Sequence, residues 1–513
     1  MSSSGFFRVF SVFFFLIPVR AEAQDIDFAD VAPLFKTHCT YCHQPGQMGP
    51  MPLTNYEEIR SYGQMIKYVI QAEYMPPGLP DADYGAHKNR RKLPDSEKKQ
   101  ILAWVDAGMP PSQDEQTHNL SLSPVVPTPK AQQVFCMDTV FEQYSVYMPQ
   151  FQVFVIPTSF RQGVFAHNIR FHPGNSTIVR SCRISVSTDD KWQKLDDWDP
   201  RYGYYSFGGP GAIPEYESWY EWQPFNVDES DSRRLRYLPP QSYFIVEMHY
   251  GPTGTKQWDQ SCLSFDTIHQ PTQLQVQSAP LVSRLTARGI SETLPANQQT
   301  RVHSSFTLPF DMSITALSPT AHLLCRNWEI YAKTPEGTIK KLLKISDWQK
   351  MWQEKYYLQR PLHLKAGTEI RALATYDNSS NNPYQPADPP IAIPWGHGMY
   401  EEQFKVTFDY IKTQVSDSAN LRTPSQLVKG KPVPLSIWST GLKQCRVSLL
   451  SLAGEGTVDE KVLSVSPGRW HHDRWEINPL PLGVYELHLS DLSGKILDRT
   501  LLFVVEEVDF FKR

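Results

Sequence analysis

Apolar positions change their period along this chain, and each change marks a boundary. A Phe-rich apolar run, Val9 to Val19, follows Arg8 and precedes Ala21-Glu22-Ala23. A basic start, a short apolar core and an A-x-A site predict a secretory signal peptide, residues 1–23, cleaved after Ala23. The run is too short for a comfortable bilayer span, and no later segment matches it, so no membrane span is expected after cleavage. From 24 to 114 the period is helical. Phe28, Val31, Leu34 and Phe35 make one apolar stripe. Thr54 and Glu57 form a capping-box pattern ahead of a second helix with Ile59, Tyr62, Ile66 and Val69 on one side. Pro94-Asp95-Ser96-Glu97 opens a third, with Ile101, Leu102, Trp104 and Val105 inward and a stop at Gly108 and Pro110. Residues 115–130 turn polar and then Pro-rich, which suits an extended linker.

From 131 to about 415 the helical period gives way to strand-like runs between turn signals, as in Phe151 to Val155 and Tyr243 to His249. The last segment, 421–513, alternates through Tyr485, Leu487 and Leu489, turns at Ser493-Gly494 and returns through Leu501 to Val505. That predicts a hairpin in a small separate β-domain. The expected fold is multidomain, a small all-α domain followed by an all-β region. The 513 residues allow three or four domains, and 42 prolines with 12% aromatics agree with β structure rich in turns. A net charge of −4 gives no reason to expect nucleic acid or an anionic membrane surface as partner. No internal repeat is evident, and oligomeric state has no signal here.

Cys39-Thr40-Tyr41-Cys42-His43 carries the clearest chemistry. A C-x-x-C-H run reads as a c-type haem attachment site, with Cys39 and Cys42 adding to the haem vinyl groups and His43 ligating iron. A redox C-x-x-C or half a zinc site would use the same residue types. Met75, in Glu73-Tyr74-Met75-Pro76-Pro77 after the second helix, is the expected sixth ligand. Met48 and Met51 follow His43 too closely, and Met109 is a competitor. One haem c would supply much of the core of so small a helical domain, 24–114. Attachment of haem to such cysteines happens outside the inner membrane, so the expected location is the periplasm, with a periplasmic redox partner.

Short pieces of the middle region resemble, in order and spacing, the copper type II, ascorbate-dependent monooxygenases, the family of peptidylglycine alpha-hydroxylating and dopamine beta-monooxygenases. They are Val134-Phe135-Cys136-Met137, Arg170 to Asn175, Thr177-Ile178-Val179, Met248-His249-Tyr250-Gly251, Ser261-Cys262, Ser318 to Leu324 and Trp395 to Met399. Met75-Pro76-Pro77 and Leu102 to Gly108 look like the haem domain of a bacterial architecture that places a cytochrome c before such a core. The resemblance implies two jelly-roll β-sandwiches, 131–274 and 275–415, each carrying one copper, and a disulfide between Cys136 and Cys262. It implies three His at the electron-storing copper and two His with a Met at the oxygen-binding copper, a donor set that suits Cu(I).

The chain departs from that pattern. Arg180 and Ser181 stand where two copper histidines are expected, leaving His249 alone, and Thr320 replaces a third, leaving His322 and Met399. A guanidinium opposes a cation at the first position. Copper is therefore doubtful there, while His322 and Met399 could hold Cu(I) if His303 or His397 were recruited. Cys182 and Cys325, beside the two degenerate positions, are buried thiols or replacement soft ligands. His249 and His322 also suit core imidazoles bonded to carbonyls, and Met399 suits packing. His471-His472 reads as an exposed strand pair. His167 and His172, at odd separation on one strand, are expected on opposite faces.

Three functions follow. The first is a periplasmic monohaem c-type cytochrome protein in electron transfer, its sandwiches a scaffold. The second is a possible oxidoreductase, a haem-fed copper monooxygenase with one surviving copper. The third is a non-catalytic peptide- or glycan-binding protein using Tyr202-Gly203-Tyr204-Tyr205 and Trp219-Tyr220-Glu221-Trp222, which equally suit a packed insertion.

Overall fold

A computed structural model describes residues 26–506 apart from 78–79, 82, 92, 121–130, 145–147, 207–217, 224–233, 272–273, 285–290, 399, 414–417, 455 and 478. The predicted signal peptide, most of the predicted linker and Met399 lie outside the described residues. The described chain is mostly β, with paired sheets following a small helical unit.

The helical unit comprises α1 (Phe28–His38), α2 (Tyr56–Ser61), α3 (Gly63–Gln71) and α4 (Asp95–Asp106). Phe28, Val31 and Phe35 of α1 meet Ile59, Ile66, Ile70, Ile101, Trp104 and Val105 in one core. The predicted second helix is two, broken at Tyr62, and Ile70 rather than Val69 is buried. Gly63 allows the break to pack closely, because a Cβ there would lie 2.1 Å from the Met109 sulfur. The predicted capping box also shifts by one residue. Asn55 is the N-cap and accepts from Glu58 N–H, while the Glu58 carboxylate accepts from Thr54. Residues 115–120 are packed rather than extended, with a 3-10 turn at Glu115–His118 and Leu120 buried in the helical core.

In the next unit, four strands in the order Gln133–Cys136, Cys262–Ile268, Val164–His172, Arg236–Leu238 share a core with a five-stranded sheet. That second sheet runs Tyr204–Tyr205, Gln150–Pro157, Tyr243–Tyr250, Val179–Ser187, Ser218–Trp222. Cys136 and Cys262 sit opposite each other on neighbouring strands and form a disulfide. Of the two aromatic segments, Tyr204-Tyr205 and Trp219 to Trp222 are strand residues of this unit, with Trp219 and Tyr220 buried, while Tyr202 precedes its strand and packs on Phe154. A helix missed by the sequence reading, α5 (Lys191–Trp198), buries Trp192 against the strand Gln150–Pro157.

A β-bulge overturns the expectation for His167 and His172. Asp266 pairs with His167 and Ser264 with Arg170, so one extra residue is accommodated near Asn168, whose φ is +52°. The inserted residue resets the alternation, and both histidines lie on the face away from the core-facing Ala166, Ile169 and Phe171. They remain about 13 Å apart, too far to share a metal.

The third unit pairs Val276–Ser283, Lys405–Lys412, Met312–Thr320, Tyr356–Leu364 with Gln299–Thr307, Glu369–Asp377, Cys325–Lys333, Ile339–Ile345. A buried Asp409 joins it to the second unit, accepting from Arg236 at 2.7 Å and Lys355 at 3.0 Å. Burial opposes ionisation of Asp409, but these two cations hold its carboxyl well below the usual range. The C-terminal unit pairs a three-stranded and a five-stranded sheet, and the predicted hairpin is Gly483–Ser490 with Ile496–Val505. Its last strand is buried on both faces. Leu501 and Phe503 enter the third unit's core, Leu502 and Val504 their own. This explains the unbroken apolar run.

Candidate functional site

The C-x-x-C-H residues form one tight turn at the end of α1. Cys42 and His43 N–H donate to Cys39 O at 3.1 and 3.0 Å, and buried Thr40 donates its hydroxyl to Leu53 O at 2.9 Å. The following loop folds back, with Gly49 N–H donating to Cys42 O and Leu53 N–H to His43 O. His43 Nδ1 lies 3.0 Å from Met51 O. A carbonyl accepts only from N–H, which assigns the proton to Nδ1 and the lone pair to Nε2. Burial lowers the His43 pKa, against the Met51 bond, and favours the neutral ring. That is the form and orientation a metal-ligating imidazole takes.

Cys39 and Cys42 are unpaired, and burial pushes each thiol up to about 12. Redox C-x-x-C pairs work through a lowered thiol pKa, the opposite of the direction found at these two. No group of three or more His, Cys, Asp or Glu that could hold a metal occurs among the described residues, which leaves a zinc reading without its other ligands. Large apolar side chains are exposed in the helical unit: Tyr41 within the turn, and elsewhere Met65 and Tyr68 one turn apart on α3, Tyr74 against Tyr68 at 6.2 Å, and Met75. Met75 is held after α3 by its N–H to Val69 O at 3.2 Å. Met109 is committed to packing on Gly63, and Met48 is buried. Two thiols, an imidazole with a free Nε2 and uncovered apolar surface fit a large planar group such as haem.

The same loop sits on the first position where the resemblance expects copper. Arg180 is the extra residue of a bulge, since Val179 pairs with Tyr250 and Ser181 with His249. The bulge turns its guanidinium toward the helical unit, where Nη1 donates to Met48 O. Arg180 runs over Gly251, where a Cβ would lie 2.2 Å from its Nε. His249 stacks on Phe151 at 4.6 Å, and burial with the Arg180 charge lowers its pKa to about 3. With Ser181, Phe151, Glu221, Trp222 and Gln353, His249 lines a small open cleft. One imidazole beside a fixed cation does not fit copper. Cys182 pairs with Met248 on the opposite, core-facing side, so it is no substitute ligand beside His249.

The helical unit also grips the third unit through residues 81–91, a contact with no signal in sequence. Lys88 N–H donates to Tyr357 O, Gln359 N–H to Ala86 O, and Asp81 N–H to Lys344 O. Asn89 bonds Lys355 O and Tyr357 N–H. Arg91 pairs with buried Glu354 and donates to Pro77 O. Arg91 and Arg180 are the two cations whose charge reaches Cys42.

At the second position, His322 follows the strand that ends at Thr320 and is almost fully buried. Its Nδ1 bonds Glu401 O, and its Nε2 is buried with no hydrogen-bond partner among the described residues. Burial lowers its pKa to about 3. Glu402 accepts from His322 N–H and Leu324 N–H, and burial raises its pKa to about 7. His397, bonded to Gln403, lies close enough to influence His322 electrostatically. His303 is exposed on its strand, and Cys325 is buried with its sulfur on Asn327 O. His472 bonds Ser436.

No family model and no curated protein matches the chain. Among solved structures, the sulfur carrier protein SoxY from Chlorobium limicola is 16% identical over 18% of this chain and 84% of its own, at a TM-score of 0.13. A Bifidobacterium dentium beta-glucuronidase is 12% identical over 46% of this chain and 49% of its own, at 0.14. A two-domain Bacteroides fragilis protein of unknown function is 8% identical over 52% and 95%, at 0.15. Likenesses at these TM-scores carry no argument.

Proposed function

We propose that this chain is an exported monohaem c-type cytochrome protein of electron transfer, working in the periplasm with a redox partner. Its N-terminal unit is read as a cytochrome c domain and its middle as a monooxygenase-like pair of jelly-roll sandwiches with degenerate copper positions. The observation that carries the reading is the His43 Nδ1 bond to Met51 O beside two half-buried, unpaired thiols. Cys39 and Cys42 would hold the haem covalently, with His43 and Met75 as axial ligands. Bound haem would supply one-electron exchange, and a Met ligand would raise its potential relative to a second His. The chain's own residues do the rest. Met51 fixes the imidazole tautomer, Thr40 and Gly49 shape the turn, and residues 81–91 keep the unit docked.

The test is haem staining on a denaturing gel after expression in a host proficient in cytochrome maturation. The wild-type chain should stain and a Cys39→Ala/Cys42→Ala chain should not. A colourless wild-type protein refutes the reading. Met75→Ala should lose the weak long-wavelength absorption of a Met–iron bond.

A second reading is supported by His322 Nε2, a buried nitrogen without a partner among the described residues. It is a single copper at His322, Met399 and a recruited His397, making the protein a copper-dependent oxidoreductase. Anaerobic Cu(I) titration tests it. Stoichiometric binding that disappears in His322→Ala and Met399→Ala would favour it over the first.

A further inference from the structure

We infer that Arg180 is a positioning residue, holding the haem-attachment loop against the second unit and raising the reduction potential of the group attached there. The inference rests on the haem reading above and deepens it.

Four observations converge on this side chain. Arg180 is the bulged residue of its strand, so its side chain leaves the regular alternation of the sheet. Its guanidinium crosses from the second unit to donate to Met48 O. Gly251 gives it passage, because any Cβ there would collide with Nε. Met48 belongs to the loop that orients the imidazole: Gly49 N–H returns to Cys42 O, and Met51 O receives His43 Nδ1–H. Loosening Met48 therefore loosens the bond that sets the tautomer and basicity of His43.

The charge matters as well as the bond. A guanidinium keeps its proton across the working pH range. A fixed cation near the attached group favours the reduced state, which carries one positive charge fewer. The protein has thus put a permanent cation of its own where the resemblance expects a metal.

The experiment uses the full-length haem-loaded chain and the variants R180Q, R180K and G251A. R180Q should lower the midpoint potential, measured by spectroelectrochemistry. It should also speed hydrogen exchange at the Gly49 and Leu53 amides roughly tenfold or more, as expected for loss of a charge-assisted hydrogen bond. R180K should keep most of the potential while losing part of the protection. G251A, which displaces the guanidinium without removing its charge, should lose protection with a smaller fall in potential. It also serves if R180Q folds poorly. A coloured R180Q protein with wild-type potential overturns the inference and leaves the haem reading standing. A colourless wild-type protein refutes the haem reading. Unchanged exchange at Gly49 and Leu53 in R180Q would overturn the positioning role with or without haem.

Discussion

At the residue scale, the narrowest tolerance in the proposed site is at Gly49. A Cβ there would lie 2.6 Å from His43 Nδ1 and 2.7 Å from Cys42 O, and neither neighbour is a flexible chain end. Gly49→Ala is therefore expected to push the imidazole off Met51 O. The cost should be about 1–3 kcal/mol of stability for an overpacked contact, with an altered haem absorption spectrum. Thermal denaturation and the visible spectrum check it, and wild-type values in both would contradict the assigned role. The motif was legible because covalent attachment needs its residue types in one short run. Its supports were not, because Met51 and Met48 act through carbonyl oxygens, which every residue has. Arg180 was legible as a lost ligand but not as a bond to another unit, since a bulge cannot be read from residue types alone. For the same reason His167 and His172 were placed on opposite faces by counting, and one inserted residue near Asn168 put them on the same face.

At the element scale, the segment 81–91 decides how firmly the helical unit is docked. Glu354 is 2% exposed and Arg91 14%, so removing the cation leaves a buried carboxylate with only a long bond from Asn89 Nδ2 at 3.5 Å. Arg91→Ala is expected to cost about 3 kcal/mol or more, while an apolar replacement of both partners should cost far less. Urea denaturation of the single and double variants separates these outcomes. The same segment carries a pH dependence. His87 is buried against Tyr356, and burial lowers its pKa from 6.5 to about 4. Below pH 6.5 the unfolded chain takes up a proton that the folded chain refuses until about pH 4, so stability falls as pH falls through that window. The slope contributed is at most about 1.4 kcal/mol per pH unit. His87→Phe should flatten the difference between urea midpoints at pH 7 and pH 5. An equal difference in wild type and variant would exclude His87 as the source. Helices with strong stripes were legible as elements, and the break at Tyr62 was not, because it depends on Met109 packing on Gly63 from forty-six positions away.

At the scale of the whole molecule, the sequence suggested a separate C-terminal domain, but the last strand belongs to two cores at once. Leu501 and Phe503 are fully buried among residues of the third unit, with Phe503 6.1 Å from Phe306. Lys412 meets Asp498 across the same boundary, both side chains almost inaccessible. Trp470 reaches the second unit, donating to His269 O and packing on Tyr237 at 4.9 Å. Burial of one large apolar side chain contributes roughly 1.5–3 kcal/mol, and breaking a buried ion pair costs about 3–5 kcal/mol. Set against a typical stability of about 5–15 kcal/mol, these contacts are large enough to couple the unfolding of both units. Phe503→Ala in the full-length chain should therefore lower stability by about 3–5 kcal/mol and move one shared calorimetric transition. An independent C-terminal domain would instead leave the transition of the third unit where it is. Phe503 side-chain loss would then appear only in a second, separate transition. Calorimetry with hydrogen exchange on the strands Met312–Thr320 and Gly483–Ser490 distinguishes the two: coupled units lose protection together, because one strand closes both cores.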